Sequence, residues 1–135
     1  MKELTTTFKA LSDDQRLRIL MLLDRKELCV CQLMGILGVA QPLVSRNLAI
    51  LSRAGFLQER KEGKLRFYSI NRKLAEDKKA IMKLLRNQTK NYTLIQKDME
   101  TLQECTEFQK MTGKCDMKTF TEFLKKRKAK KGGRR

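Results

Sequence analysis

Between Leu33 and Ile70 the spacing of apolar residues switches from helical to alternating, and glycines stand at the changes. Leu33, Ile36 and Leu37 form a short stripe at helical spacing, and Gly38 follows as the turn that ends it. "QPLVSRNLAILSRAG" restarts a helix: Pro42 suits its first turn, Val44, Leu48 and Leu51 mark its buried face, and Gly55 marks its end. Two short helices joined by a glycine-containing turn predict a helix-turn-helix. Leu57 then leads into Glu62-Gly63, and Tyr68 and Ile70 share one face beyond it, which predicts a β-hairpin. A hairpin directly behind a helix-turn-helix is a wing.

The flanks read as helix. Ser12 or Asp13 can cap a helix in which Leu17, Leu20 and Leu23 repeat, and "LTTTFKAL" before it is another. After the hairpin, a narrow seam runs through Leu74, Ile81, Leu85, Gln88, Tyr92, Ile95, Met99 and Leu102, predicting one long helix to about Met111. A helix of that length outruns a small domain, so its stripe needs a partner, and a homodimer made by the terminal helices supplies one. The expected fold is therefore mainly α with a small β-hairpin wing. Residues 1–111 form the winged-helix DNA-binding and dimerisation domain, and residues 112–135 a C-terminal extension. In that extension Asp116 caps a short amphipathic helix carrying Met117, Phe120 and Leu124, and the tail has no large apolar residue to pack and reads as disordered.

Charge names the class of partner. The net charge is +16, and the tail from Lys125 to Arg135 holds eight Lys or Arg and no acid, leaving +8 elsewhere. Such an excess attracts a polyanion, and nucleic acid is the expected one. With Val44, Leu48 and Leu51 inward, Gln41, Ser45, Arg46 and Asn47 face outward at the start of the second helix, where base edges are read in a major groove. Arg46 is suited to guanine and Gln41 to adenine. Arg53, and Arg60, Lys61, Lys64 and Arg66 of the wing, are placed for the phosphate backbone.

The chain contains no histidine, which removes the usual general base and the usual partner of a nucleophilic Ser or Cys. No Gly-rich phosphate loop is present either, and nothing in the sequence argues for an enzyme. No apolar run approaches the ~18 residues of a membrane helix, and the first residues lack a signal peptide's apolar stretch, so the expected location is the cytoplasm, with no membrane partner.

Four cysteines remain: Cys29, Cys31, Cys105 and Cys115. Thiolates are soft ligands that favour As(III), Sb(III), Cd(II), Pb(II) and Zn(II). Trivalent arsenic takes three thiolates in a pyramid, whereas tetrahedral zinc or cadmium wants a fourth donor. On an ideal helix Cys29 and Cys31 would point about 200° apart. To share one ion they must lie at an extended helix start, or binding must unwind it. Ion capture then competes with the shape of the helix that supports the recognition helix.

"ELCVCQL" followed by "QPLVSRNLAILSRAGFLQERKEGKLRFYSI" resembles the ArsR/SmtB family of winged-helix metal-responsive repressors, most closely its arsenic-responsive members. The resemblance covers Leu11 to Ile70. It implies a homodimeric repressor that sits on operator double-stranded DNA and leaves when As(III) or Sb(III) binds its cysteines. Arsenic sensors of this motif often carry a third cysteine three residues after the second, and here that position is Met34. The expected ligands are Cys29, Cys31 and a third thiol, Cys115 or alternatively Cys105. The rivals on the same scaffold are a Cd, Pb or Zn sensor and a thiol-redox switch. Beyond the scaffold stand a thiol metallochaperone or reductase and an architectural DNA binder.

Overall fold

The computed structural model describes residues 1–112 together with Glu122, Lys125 and Lys126. In chain order the elements are α1 (Lys2–Leu11), α2 (Asp14–Arg25), β1 (Leu28–Cys29), α3 (Val30–Leu37), α4 (Gln41–Arg53), β2 (Leu57–Glu62), β3 (Leu65–Ile70), α5 (Glu76–Thr89) and α6 (Thr93–Thr112). The mainly helical winged helix-turn-helix predicted from the sequence is the fold observed. Asp116, Met117, Phe120 and Leu124 of the short helix expected there, and the basic tail beyond Lys126, lie outside the described residues; Glu122, Lys125 and Lys126 are helical, so the first two residues of the tail expected to be disordered are ordered as helix.

Helix α2 is the hub. Asp13 caps it by accepting a hydrogen bond from the Arg16 N–H at 3.1 Å. Ile19, Leu20, Met21, Leu22 and Leu23 are all buried, so α2 has no solvent face along this stretch. A helix apolar on every side must be surrounded, and here α1, α3, α4, α5, α6 and β3 all pack against it. Arg16 adds a polar tie. It donates to the carbonyl of Ala10 at 2.6 Å and of Lys9 at 3.2 Å, satisfying the open end of α1, and to Oδ1 of Asn47 on α4 at 3.1 Å.

Helices α3 and α4 are bent 112° to one another, within the range of a helix-turn-helix. The turn rests on Gly38, which caps α3 at φ 71. A side chain there would meet no atom, so its cost is the left-handed backbone alone, about 1 kcal/mol. Leu33, Ile36 and Leu37 from α3 and Val44, Leu48 and Leu51 from α4 are buried in the same core, as their spacing predicts. No single helix among the described residues is long and apolar enough to cross a membrane.

The wing pairs β2 with β3, antiparallel, from Leu57↔Ile70 to Glu62↔Leu65. Gly63 takes φ 62 at the first position of the two-residue turn, as a type II′ hairpin requires. A third strand was not anticipated: β1 joins the other edge of β3, with Leu28↔Tyr68 and Cys29↔Phe67, giving the order β1-β3-β2. Two residues have no period to read.

The single long helix expected from Leu74 to Met111 is corrected. It breaks at Lys90–Tyr92 into α5 and α6, in a stretch, "TKNYT", whose Thr, Asn and Tyr are weak helix formers. The seam members at the break, Gln88 and Tyr92, are exposed, while Ile95, Leu102 and Cys105 on α6 are buried. The stripe of α6 thus finds its partner within its own chain, against α2 and α3. Arg18 and Asp98 lock the return: the guanidinium donates twice to the carboxylate, at 2.8 Å each, with side chains 13% and 4% exposed. Removing one partner of such a pair leaves a buried charge unmatched, and Asp98→Ala is expected to cost about 3–5 kcal/mol in denaturant unfolding. Arg86→Ala, which breaks an exposed contact with Asp24, is expected to cost no more than about 1 kcal/mol in the same measurement.

Candidate nucleic-acid interface and thiolate site

Helix α4 begins at Gln41 with Pro42 in its first turn, where the missing N–H costs nothing. Gln41, Ser45, Ala49 and Arg53 follow one another at four-residue steps and line a cleft of about 780 Å³ whose far wall is the hairpin. Lys64 and Arg66 reach the cleft from the hairpin. Arg46 is exposed on a different face of α4. The helix therefore presents a polar face toward the wing, while Arg46 stands as a single charge on another face among Pro42, Leu43 and Ile50.

Two expectations on this surface change. Asn47 is not outward: it is 4% exposed and accepts the hydrogen bond from Arg16. Its position, three after Val44 and four before Leu51, is on the buried stripe, so the spacing itself held the answer. Arg60 is on the wing's surface, yet two carboxylates already hold it, Glu27 at 2.7 Å and Glu62 at 2.8 Å, and its guanidinium stacks 4.6 Å from the Phe67 ring. The hydrogen bonds it donates to Glu27 and Glu62 raise its pKa further above the ordinary value. Arg60 anchors the wing to the segment before β1, and it must leave that anchor to touch a phosphate. Lys61, Lys64 and Arg66 are exposed, Arg66 sharing an ion pair at 3.6 Å with Glu59.

The cysteines sit where strand becomes helix. Cys29 ends β1 and caps α3 with an extended backbone, φ −89 and ψ 166, and Cys31 lies in the first turn of α3. The angular objection of an ideal helix therefore does not apply, because Cys29 is outside the helix. Gln32 completes a capping box, its Oε1 accepting from the Cys29 N–H at 2.9 Å. Its amide nitrogen points the other way, 3.9 Å from the Cys105 sulfur and 2.9 Å from Oε1 of Gln109, both on α6.

One side chain thus joins Cys29, at the start of α3, to Cys105 late in the chain. Burial pushes the Cys105 thiol up; the Gln32 hydrogen bond opposes that, the charge of nearby Cys29 adds to it, and Lys26 opposes it. Cys29 and Cys31 both line the cleft under α4, together with Met34. Among the described residues no group of three Cys, Asp or Glu side chains is already arranged to hold an ion. Cys115 lies outside the described residues.

Sequence reasoning missed Gln32, although Cys-Val-Cys-Gln has the spacing of a capping box with sulfur in place of the hydroxyl. Glu27, which secures the wing, gave no signal. The burial of the thiols orders their reactivity: Cys29 is 1% and Cys105 4% exposed, while Cys31 is half-buried. Brief iodoacetamide treatment of the native reduced protein is expected to alkylate Cys31 at least tenfold faster than Cys29 or Cys105, read by peptide mass spectrometry. Equal rates in native buffer contradict this geometry.

Residues 13–59 match the family described as bacterial regulatory protein, arsR family. The arsenic resistance transcriptional regulator ArsR1 of Pseudomonas putida is 39% identical over 87 residues, covering 62% of this chain and 68% of the relative. The arsenical resistance operon repressor of Escherichia coli is 46% identical over 65 residues, 47% of this chain and 56% of the relative. A cadmium resistance regulatory protein CadC homolog of Staphylococcus aureus is 40% identical over 70 residues, 51% of this chain and 58% of the relative. The chain thus spans little more than half the length of the latter two. A solved homodimeric winged helix-turn-helix DNA-binding domain from Mycobacterium bovis, a possible ArsR-family regulator, superposes with a TM-score of 0.57 at 27% identity, covering 68% of this chain and 82% of that one. With a winged helix-turn-helix at its centre and relatives of this similarity, the chain belongs to the arsR family of bacterial transcriptional regulators, of the ArsR/SmtB type.

Proposed function

We propose that this protein is a cytoplasmic homodimeric repressor that binds operator DNA and is released when trivalent arsenic or antimony is captured by Cys29, Cys31 and a third thiol. The observation that carries the reading is the position of Cys29, which at once ends a strand paired to the wing, caps α3 and neighbours Cys105. The fit of the donor set is one of chemistry: Cys29 and Cys31 stand at the start of one helix, Cys105 is an electrostatic neighbour of Cys29, and soft thiophilic ions are what such donors prefer. Cys105 is favoured as third donor because Gln32 already directs it toward Cys29; Cys115 is the competitor. Residues 1–111 are proposed as the DNA-binding and dimerising unit. Exposed Leu4 and Phe8 on α1 and Leu84 on α5 supply apolar surface for a second copy.

The coupling follows from what must move. Drawing Cys29 and Cys31 onto one centre takes the Cys29 backbone out of its capping box and strains its pairing with Phe67. Both disturbances pass to DNA-facing parts, one through α3 to α4 and one through β3 to the wing. The ion and the operator then favour different shapes of one element, which is the requirement for a coupling free energy, typically 1–3 kcal/mol. Arsenous acid condenses with thiols: each S–As bond forms as an As–O bond breaks, and the thiol proton leaves with the oxygen as water. Cadmium instead displaces protons into solution. A cadmium-responsive reading has the staphylococcal relative in its favour, and pH separates the two: Cd(II) affinity rises with pH, whereas arsenite affinity is nearly flat around neutrality.

Anisotropy of a labelled duplex from upstream of the gene is expected to fall as arsenite reaches stoichiometry, with Cd(II) weaker. Cys29→Ser and Cys31→Ser are expected to bind the duplex normally and to need at least tenfold more arsenite. Cys105→Ser is expected to do the same and Cys115→Ser not, which identifies the third donor. If the Cys29→Ser/Cys31→Ser double variant responds like the parent, the thiol assignment fails. Arg46→Ala is expected to weaken operator binding by about 1–3 kcal/mol and to relax discrimination at one base pair, while Lys64→Ala weakens all sequences alike and lowers the salt slope by about 1.

A further inference from the structure

We infer that operator and inducer compete for a single cleft, so that bound DNA closes the route to the thiols and the ion enters only after the protein has left the operator. This rests on the function proposed above and adds how that site is regulated. The cleft between α4 and the hairpin has two chemistries. Gln41, Ser45, Arg53, Lys64 and Arg66 offer amide, hydroxyl and cationic groups suited to phosphate, and Cys31 and Met34 offer sulfur on the same surface. The acid in it, Glu59, is held by Arg66 at 3.6 Å and accepts from the Tyr68 hydroxyl at 3.4 Å, so it does not stand bare before a phosphate.

When a helix reads the major groove and the hairpin behind it rests on the flanking backbone, the intervening sugar-phosphate strand crosses between them. Here that crossing runs over the mouth of the cleft. Of the described thiols Cys29 and Cys105 are buried, and Cys31 alone is partly exposed. Cys29 lines the same cleft, so the path from the cleft to Cys29 begins at Cys31, under the crossing strand.

Two measurements on the full-length wild-type protein test this. In the first, Cys31 alkylation by iodoacetamide, a neutral reagent that DNA does not repel, is timed without DNA, with operator duplex, and with a scrambled duplex at a salt concentration where only the operator binds. Protection of tenfold or more by operator alone is expected; equal rates overturn the proposal even if arsenite releases the DNA. In the second, the release rate of labelled operator after mixing with arsenite is compared with the spontaneous rate, measured by adding excess unlabelled operator. The release rate is expected to level off at the spontaneous rate however much arsenite is added. A rate that climbs beyond it with arsenite concentration shows capture on the DNA-bound protein and overturns the proposal while leaving the inducible repressor intact. If operator protects Cys31 but arsenite never releases it, the shared cleft stands and the assignment of the inducer falls.

Discussion

The chain passes from β1 to α3 at one residue, and the backbone of Cys29 serves three structures there. Its strand pairing with Phe67 ties it to the wing, its N–H is held by Gln32, and its side chain shares an electrostatic neighbourhood with Cys105 of α6. None of these is strong alone: a two-residue strand contributes little, and a capping hydrogen bond is worth roughly 1 kcal/mol. Their importance is that the same residue makes all of them, so it cannot move for one without changing the others. A helix start is also where a small displacement is least costly, because the first turn lacks the interior hydrogen bonds that stiffen the rest.

The scaffold around this junction is stiff where the junction is soft. Helix α2 is buried from Ile19 to Leu23, Arg18 and Asp98 pin α6 to it, and Arg16 ties α1 and α4 together through Asn47. A sensor of the kind proposed needs this contrast. If the core gave way along with the start of α3, ion binding would be absorbed as general loosening. Because the core resists, displacement at Cys29 has two outlets, the recognition helix and the wing. The break between α5 and α6 belongs to the same economy, since it returns Cys105 to the α3 side of the molecule, which one unbroken helix would have carried past.

Much of the fold was legible because its elements announce themselves in period and punctuation. Gly38 between two apolar stripes, Pro42 at a helix start and Glu62-Gly63 between alternating arms each have one economical explanation, and each is realised. What was not legible lacks a period. β1 is too short to alternate. The seam from Leu74 to Leu102 keeps its phase through the break, so spacing continued where propensity stopped, and the warnings were the weak members Gln88 and Tyr92 and the poor helix formers of "TKNYT". At the thiolate site the pair Cys29 and Cys31 was visible as a motif, whereas the approach of Cys105 depends on a chain reversal that no local pattern encodes. Asn47 is a different kind of miss: it was assigned by polarity, although its place in the stripe with Val44 and Leu51 was plain.

The charge of the chain sets what release from an operator can mean. A protein of +16 draws affinity for any duplex from counterion release, and that part of binding does not depend on how α4 is aimed. In the proposed function, ion capture at Cys29 and Cys31 acts on the aim, through α3, and on the wing, through β3, while leaving every lysine and arginine charged. The specific increment is therefore what the thiols can remove, and the nonspecific remainder persists. For such a protein, moving from its operator to bulk DNA is sufficient to relieve repression, because the nonspecific sites outnumber the operator. A coupling of a few kcal/mol, too small to detach so basic a chain from DNA altogether, is then large enough to control one promoter. That modest requirement suits the proposed switch, made from one capping residue and one short strand.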